Sequence, residues 1–400
     1  IKCMTERIYY TEPTKTTFEA LVVAVESNGS QSTVELDKTV FYPSSGGQPH
    51  DTGVLGGARV VDVRELDAGR IGHVITGVVK ESQVVTGMID WPRRFDHMQQ
   101  HSGQHVLSAV FDQRHSARTV GFHLGQEVST IDLDRHLPVE AVAEAELDAN
   151  EAVWRNHPVS IRFATGSEVA ALPLRKEPVR SGDLRLIEID GVDLSACGGT
   201  HVDRTGTIGL IAVTGTERFR NGLRVSFVCG GRVLKEFRAR GVTLDASAQL
   251  FSGNESDIPD QIATLQHTMK GLQHTHRTAE ARLSVYEAAA LAANAEEMPA
   301  WSSIVAAVEV SEAGALRMLV NALIAEPHRV AVLFSSVLPA LVVVARSADV
   351  DLDARTMLSQ LIERFGGRGG GKSDLAQGGG LSGVPSELLD AARTILSEHR

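Results

Sequence analysis

Two stretches rich in histidine and cysteine constrain this chain most, because together they predict one site built from two distant segments. Residues 97 to 105 read HMQQHSGQH, so His97, His101 and His105 follow one another at intervals of four residues. On a helix, four residues advance about 400° and rise about 6 Å, which places the three imidazoles on one face. Two of them can bind one metal ion, but the spacing does not distinguish the pair 97/101 from the pair 101/105.

The second stretch, CGGTH, supplies Cys197 and His201 with two glycines between them. The glycines let the backbone turn so that both side chains face one point. Zinc takes thiolate and imidazole ligands in tetrahedral sets, so a helical H-x-x-x-H and a loop C-x-x-x-H together predict a zinc site. Positions 105 and 197 are 92 residues apart, so the domain fold must bring the halves together. The alternative is a buried thiol beside histidines that make ordinary hydrogen bonds.

The composition is that of a globular protein in a reducing compartment. The 400 residues are 42% hydrophobic and 22% charged, which predicts two to four domains. Three cysteines, Cys3, Cys197 and Cys229, make no disulfide framework and indicate the cytoplasm. No signal peptide or membrane span is predicted, because the longest apolar run, from Val330, is interrupted by serine and proline and is typical of two buried strands. The net charge of −11 argues against broad nonspecific nucleic-acid binding but is compatible with a local basic patch.

The order of local patterns predicts an α+β chain in four parts. Short β-branched runs broken by glycine indicate a barrel-like first part, and helices are expected from His97 to Gln113 and from Val139 to Asn156. Apolar residues at heptad spacing between 258 and 293 indicate a long helix that packs against a partner helix, or alternatively a lone amphipathic linker. The predicted parts are an N-terminal β-barrel at 1–90, an α+β zinc-binding domain at 91–240, a coiled-coil helix at 241–297 and an α/β domain at 298–400.

Four ordered motifs carry a family resemblance: FYPSSGGQPHDTG at 41–53, HSGQHVLSAVF from His101, GFHLGQEVSTIDL at 121–133 and CGGTHVDRTGTIG from Cys197. They resemble the editing domain of alanyl-tRNA synthetases and, more closely, the freestanding alanyl-tRNA editing proteins of the AlaX type. The resemblance implies that the zinc ligands are His101, His105, Cys197 and His201. It leaves His97 one turn before the helical pair, as a neighbour of the ligands or an RNA contact.

The stretch FGGRGGGKSDLAQGGG at 365–380 is predicted to be a glycine-rich loop, and it contains a formal match to a nucleotide-binding P-loop, from Gly366 to Ser373. A P-loop follows a strand and opens a helix, whereas this stretch follows an amphipathic helix and leads into more glycines, so we reject that interpretation. It resembles instead the end of the DHH-associated C-terminal domain of alanyl-tRNA synthetases, which serves RNA binding and dimerisation. The whole chain thus resembles the long form of the freestanding editing protein, and a homodimer through the coiled coil and C-terminal domain is expected.

The resemblance implies ATP-independent hydrolysis of mischarged tRNA(Ala), mainly Ser-tRNA(Ala) and also Gly-tRNA(Ala), with zinc positioning the substrate and activating water. The alternatives are a non-catalytic, zinc-stabilised tRNA-binding module and the editing of mischarged tRNA(Thr). Candidates for the substrate pocket are Gln104, Ser129, Thr130 and His97. Candidates for tRNA contact are Gly46, Gly47, Gln48, Arg218, Arg220, Arg224, Gly370, Gly371 and Lys372.

Overall fold

The computed structural model describes residues 4–169, 171–176, 183–310 and 312–399, apart from the side chain of Ser167. Cys3 lies outside the described residues. The chain divides into two compact units, Ile1–Ala246 and Ser247–Arg400, which are described separately below. The predicted division into four domains is not decided by this and stays a prediction.

The first unit begins with a closed six-stranded barrel, as the alternating runs predicted. Its strands follow the order β2-β3-β7-β6-β5-β8 around the barrel, and β1 pairs with β4 beside it. Side chains alternate between the interior and the surface, and the interior is filled by small branched residues such as Val22, Val34, Val60 and Ile75. The strands are β1 Glu6–Arg7, β2 Thr17–Asn28, β3 Gln31–Leu36, β4 Lys38–Thr39, β5 Gly53–Leu55, β6 Ala58–Glu65, β7 Ile71–Thr76 and β8 Val84–Ile89.

Helix α1, Trp91–His115, follows the barrel and is longer than the predicted helix from His97. It begins six residues earlier, because Pro92 lies in the first turn, where its missing N–H costs no helical hydrogen bond. It ends at Ser116, which has a left-handed backbone conformation with φ 50°. Every residue from 97 to 111 is buried, so this helix runs through the interior of the unit.

The rest of the first unit is mixed α and β, in agreement with the predicted class. One antiparallel sheet has the order β14-β15-β10-β9 and packs against α1 and α2, and a second has the order β11-β12-β13. The predicted second helix is confirmed as α2. The elements are β9 Thr119–Leu124, β10 Ser129–Leu133, α2 Val139–Trp154, β11 Val159–Ala164, α3 Gly166–Val169, β12 Leu184–Ile189, β13 Asp193–Ala196, β14 Ile211–Phe219, β15 Gly222–Cys229 and α4 Gly231–Leu250.

The second unit contains a long helix and a six-stranded sheet of order β16-β17-β18-β19-β21-β20. The apolar run from Val330 forms two buried strands, as predicted. The glycine-rich stretch was predicted to be a loop, which is wrong, because Arg368–Gly371 pairs with Leu375–Leu381 as an antiparallel hairpin. The elements are α5 Ile258–Ala292, β16 Glu296–Glu297, β17 Ser302–Val308, α6 Ala313–Leu323, β18 Arg329–Ser335, β19 Ala340–Arg346, α7 Ala354–Phe365, β20 Arg368–Gly371, β21 Leu375–Leu381 and α8 Pro385–Glu398.

Helix α5 confirms the long helix predicted from heptad spacing. Its apolar seam, however, faces outward: Leu265 is 56% exposed, Leu272 65% and Tyr286 69%. The coiled coil therefore stays a prediction. Among the described residues, no helix combines the length and the apolar character needed to cross a membrane.

Candidate metal centre

The fold brings the two predicted halves of the metal site together. His101 and His105 come from successive turns of α1, and Cys197 and His201 from the loop that follows β13. One ligand-capable atom from each of the four side chains lies within 4.8 Å of all the others. The three histidines are each less than 5% exposed. That these four residues hold an ion remains a prediction.

The spacing of the donor atoms fits a tetrahedral zinc ion. The Nε2 atoms of His101 and His201 lie 3.4 and 3.3 Å from the Sγ of Cys197. With Zn–S near 2.3 Å and Zn–N near 2.0 Å, tetrahedral geometry separates sulfur and nitrogen by about 3.6 Å. The His101 and His201 rings are 4.5 Å apart between centroids, and the His105 and His201 rings 4.7 Å apart. One sulfur and three imidazole nitrogens are also the donor types that zinc takes.

Each of the three imidazoles has a hydrogen-bond partner on its Nδ1 atom, which leaves Nε2 for the centre. His105 Nδ1 lies 2.8 Å from Asp193 Oδ2, and His101 Nδ1 lies 2.8 Å from Gln48 Oε1. Both partner atoms are acceptors, so the two Nδ1 atoms donate to them and the two Nε2 atoms are directed toward the centre. His201 Nδ1 is 3.2 Å from the hydroxyl of Ser102, which can donate or accept. Such outer partners are typical of histidines that bind metals.

The electrostatics of the centre favour a thiolate. Burial alone would raise the pKa of Cys197, but His101 and His201 outweigh that effect and hold the pKa well below its usual range. The thiolate is the form that binds metals. Burial also lowers the pKa of His201, to about 3, so its imidazole is neutral and able to act as a ligand.

Asp193 is a buried carboxylate that accepts a hydrogen bond from the Nδ1 atom of His105. Burial opposes ionisation of this carboxyl, yet hydrogen bonds from His105 and Arg175 hold its pKa below the usual range. The Nε of Arg175 donates to Asp193 at 2.7 Å, and the Ser195 hydroxyl donates at 2.9 Å. Burial would lower the pKa of His105, but the hydrogen bond to Asp193 outweighs it and raises the pKa to about 9. A metal ion that binds His105 would therefore displace the proton on its Nε2 atom.

The turn between Cys197 and His201 depends on close approach rather than on an unusual backbone conformation. A Cβ atom on Gly199 would lie 2.2 Å from the ring of His101, whereas one on Gly198 would meet nothing closer than 3.5 Å. Neither glycine has a positive φ. The Nη1 atom of Arg185 donates to the carbonyls of Cys197 at 2.7 Å and Gly199 at 2.9 Å and so fixes the turn from beneath.

Of the four predicted pocket residues, Gln104 and Ser129 lie in the interior beside α1. Each is no more than 2% exposed, and the Gln104 Oε1 and Ser129 Oγ atoms have no hydrogen-bond partner among the described residues. Thr130 follows Ser129 on the strand and therefore points to the opposite face of the sheet, away from α1. The structure does not bring Thr130 to the centre, which removes the support for its predicted role.

His97 is buried but does not join the cluster of four. Burial lowers its pKa to about 4, and its Nδ1 atom has no partner among the described residues. At 2% exposure it is not available to RNA, whereas its predicted roles as a neighbour of the ligands and as a pocket residue stay predictions.

In the glycine-rich turn at 46–48, Gly46 and Gly47 are exposed, whereas Gln48 is buried against the centre. Gly46 and Gly47 have positive φ values of 53° and 81°, and a Cβ on Gly47 would lie 2.8 Å from the Phe122 ring. Gln48 is 2% exposed and bonds to His101 and Thr200. The Gln48 side chain is enclosed and does not reach an RNA surface, while contact between tRNA and the backbone of the turn stays a prediction.

The basic candidates differ in accessibility. Arg218 and Arg220 are exposed on the hairpin that joins β14 and β15, while Arg224 pairs with Asp132 at 2.7 Å and lies 3.9 Å from the Phe219 ring centre. Arg224 is thus committed to contacts within the sheet. In the second unit, Gly370, Gly371 and Lys372 lie in or directly after the exposed edge strand β20.

A groove of about 590 Å³ opens beside the centre, with His201 in its wall. Its other side is the segment from Thr11 to Lys15, and its floor includes Val159 and Ile161 of strand β11. The groove gives a ligand a path to one of the four clustered side chains.

Sequence reasoning missed Asp193, Ser102 and Arg185. Ser102 could have been noticed, since it lies between the two helical ligands, and Asp193 precedes Cys197 by four residues. Nothing in the sequence signals Arg185, whose partners are carbonyl groups of the turn.

Comparison with known proteins points to one group. The family described as "Threonyl and Alanyl tRNA synthetase second additional domain" matches residues 184–224, and the DHHA1 domain matches residues 302–398. The alanyl-tRNA editing protein AlaX-L of Pyrococcus horikoshii is 29% identical over 99% of this chain and 99% of its own length. The alanyl-tRNA editing protein Aarsd1-B of Xenopus laevis is 34% identical over 66% of this chain and 66% of its own length.

The alanine–tRNA ligase of Pyrococcus abyssi is 31% identical over 94% of this chain, which spans only 42% of that ligase. Among solved structures, the C-Ala domain of Aquifex aeolicus alanyl-tRNA synthetase matches with 24% identity and a TM-score of 0.24, covering 26% of this chain and 95% of that domain. At that score the match supports no conclusion about the fold. The chain is therefore, as its motifs predicted, a relative of the long AlaX-type alanyl-tRNA editing proteins over nearly its whole length, and is related to the editing and C-terminal regions of alanyl-tRNA synthetases.

Proposed function

We propose that this chain hydrolyses the ester bond of mischarged tRNA(Ala), with Ser-tRNA(Ala) as the main substrate and Gly-tRNA(Ala) as a second one. The observation that carries the proposal is the convergence of His101, His105, Cys197 and His201 in a chain whose relatives are named alanyl-tRNA editing proteins. Packing alone does not explain a half-buried thiolate beside three buried and oriented imidazoles, because buried polar groups are costly.

The four residues are proposed as ligands of one Zn²⁺ ion. When bound, zinc would polarise the ester and favour ionisation of a nearby water molecule. The chain's own contribution is to present three Nε2 lone pairs and one thiolate in fixed directions, through Asp193, Gln48 and Ser102. The groove beside His201 is the proposed path for the acceptor end of the tRNA.

The preference for serine over alanine requires buried polar groups that need the serine hydroxyl. A site built around such groups disfavours a molecule that lacks the hydroxyl, because its own polar atoms would be left unpaired. The unpartnered oxygens of Gln104 and Ser129 support the proposal that these side chains read the hydroxyl. Thr130 is not part of this proposal, because it faces the opposite side of the sheet from Ser129.

The proposed tRNA contacts are the exposed Arg218 and Arg220 on the β14–β15 hairpin and, in the second unit, Gly370, Gly371 and Lys372. Arginine and lysine side chains contact phosphates without reading sequence, so binding through them should weaken steeply with salt. A homodimer through the exposed seam of α5 is a further proposal. Its support is the apolar heptad spacing along an exposed helix face.

The deciding experiment follows ester loss from Ser-tRNA(Ala), Ala-tRNA(Ala) and Ser-tRNA(Thr) incubated with the purified full chain, with the zinc content measured in parallel. We expect rapid loss of serine from tRNA(Ala) with alanine spared. No ester loss from any substrate at full zinc content would favour a non-catalytic tRNA-binding module. Faster loss from tRNA(Thr) would move the function to that tRNA, an option kept because the matched family description names both synthetases.

A further inference from the structure

We propose that Gln48, which lies in the glycine-rich turn of the barrel, is a positioning residue of the metal centre and not part of an RNA-binding surface. The inference rests on the proposed metal site and concerns a residue that does not contact the ion. Gln48 is separated from His101 by 53 positions and from Thr200 by 152 positions, so three distant segments meet at one side chain.

The amide group of Gln48 is satisfied on both ends within the interior. Its Oε1 accepts the N–H of Thr200 at 3.1 Å and the Nδ1–H of His101 at 2.8 Å. Its Nε2 donates to the Thr200 hydroxyl at 2.8 Å. Because Oε1 also receives a backbone N–H, the orientation of the amide is fixed and His101 can meet it only as a donor. The lone pair of His101 is thereby directed from Nε2 toward Cys197.

Gln48 also joins the two halves of the site to each other. His101 belongs to the helical half, and Thr200 belongs to the turn that carries Cys197 and His201. A Cβ on Gly199 would lie 3.0 Å from the Gln48 oxygen and 2.2 Å from the His101 ring, so no side chain fits between them. Loss of the Gln48 amide would leave a buried N–H on each half without an acceptor, which is costly.

The same contact links the order of the glycine-rich turn to the metal. Gly47 packs against the Phe122 ring, whose centre lies 5.8 Å from that of His101. The turn therefore contacts His101 directly through Gln48 and indirectly through Phe122. Zinc bound to His101 should therefore also stabilise the ordered conformation of the turn. By thermodynamic linkage, the ordered turn then raises the affinity for zinc by the same factor by which zinc favours the ordered turn.

The test compares Gln48→Leu, Gln48→Glu and a matched control, Gln99→Leu, in the full chain. Gln99 is also a buried glutamine on α1, 8% exposed, and among the described residues its side chain bonds only to backbone groups of Thr207 and Gly231. Zinc affinity is measured by competition with a chromophoric chelator, and thermal unfolding of the zinc-free proteins reports any loss of folding. Removal of an outer partner of a metal-bound histidine typically weakens metal binding about 10–100-fold.

We expect Gln48→Leu to weaken zinc binding by about tenfold or more. Gln48→Glu retains acceptors for His101 and for the Thr200 N–H, and the Thr200 hydroxyl can donate to it, so we expect affinity close to that of the wild type. Gln99→Leu should leave affinity unchanged even if it lowers the unfolding temperature. The inference would be overturned if Gln48→Leu bound zinc as tightly as the wild type. It would also be overturned if Gln99→Leu lost as much zinc affinity as Gln48→Leu. If the wild type itself bound no zinc, the proposed metal site would fail together with it.

Hydrogen exchange supplies a second readout that a purely structural role would not change. Zinc should slow amide exchange over residues 44–50 in the wild type, and this zinc-dependent difference should disappear in Gln48→Leu. The difference should persist in Gln99→Leu. An unchanged zinc effect in Gln48→Leu would show that the turn is not coupled to the centre through this residue.

Discussion

Helices α1 and α5 contrast in a way that hydrophobicity alone does not predict. The central part of α1 reads HMQQHSGQH, and all of it is buried, with Gln100 and Ser102 fully enclosed. The apolar seam of α5 is exposed along its length, with Leu272 65% and Tyr286 69% accessible. Buried polar residues and exposed apolar stretches are both exceptions that require an explanation. In α1 the explanation is the proposed metal centre, and in α5 it is the proposed partner helix.

The largest expected effect concerns the ligands themselves. Cys197→Ala or His105→Ala should lower the zinc content of the purified protein severalfold, because either change removes one of four converging donors. His97→Ala is the control, since His97 lies on the same helix, is equally buried and stands outside the cluster. Zinc is measured by elemental analysis of the dialysed proteins. An equal loss in all three variants would overturn the ligand assignment.

The turn between the ligands can be tested with two adjacent glycines. Gly199→Ala places a methyl group 2.2 Å from the His101 ring, so we expect zinc affinity to fall about tenfold or more. Gly198→Ala meets only Tyr10 at 3.5 Å and should bind zinc nearly as well as the wild type. Chelator competition measures both. If the two variants behaved alike, close approach would not be what requires a glycine at position 199.

His73 offers a buried histidine outside the proposed centre for comparison. It is enclosed in the barrel between Thr39 and the carbonyl of Val34, and burial lowers its pKa from the usual 6.5 to about 4. The imidazole of His73 therefore becomes protonated at higher pH in the unfolded chain than in the folded chain. The stability that neutral His73 provides is complete above pH 6.5 and is lost progressively as the pH falls toward 4.

Between pH 7.5 and 4.5 this single group should account for about 2–3 kcal/mol of lost unfolding free energy. Denaturant unfolding of the wild type and of His73→Gln at both pH values measures the difference. A smaller pH dependence in the variant agrees with the interpretation, whereas an identical dependence would show that His73 is not responsible.

The smallest expected effect on stability concerns the exposed seam. Leu265→Glu and Leu272→Glu remove no buried contact within the chain, so each should change the unfolding free energy by less than about 0.5 kcal/mol. Both should abolish self-association through α5, measured by sedimentation. Lys270→Glu, a charge reversal at an exposed position of the same helix but off the seam, is the control. Unchanged association in both seam variants would remove the proposed dimer surface.

The sequence was sufficient where the pattern is local. The four-residue spacing in α1 placed His101 and His105 on one face, and alternating β-branched runs predicted the barrel. It was insufficient where contacts join distant segments. The bonds from His101 to Gln48 and from His105 to Asp193 depend on the fold. Gln48 was predicted from the sequence only as a tRNA contact, and Asp193 was not predicted at all.

Two further differences have physical causes. The hairpin at 368–381 was predicted as a loop because its glycines show no alternation of polar and apolar side chains, yet backbone hydrogen bonds alone suffice to pair its strands. Thr130 was predicted beside Ser129 in the pocket, but neighbouring residues of a strand face opposite sides of the sheet.

Titration of the metal-free protein with Co²⁺ tests the central claim most directly, because the absorption spectrum reports both coordination geometry and thiolate ligation. The account predicts one tightly bound equivalent per chain, a tetrahedral visible spectrum and a thiolate-to-metal band that disappears in Cys197→Ser. A full-length, folded protein that binds no cobalt, or whose thiolate band survives in that variant, would contradict it.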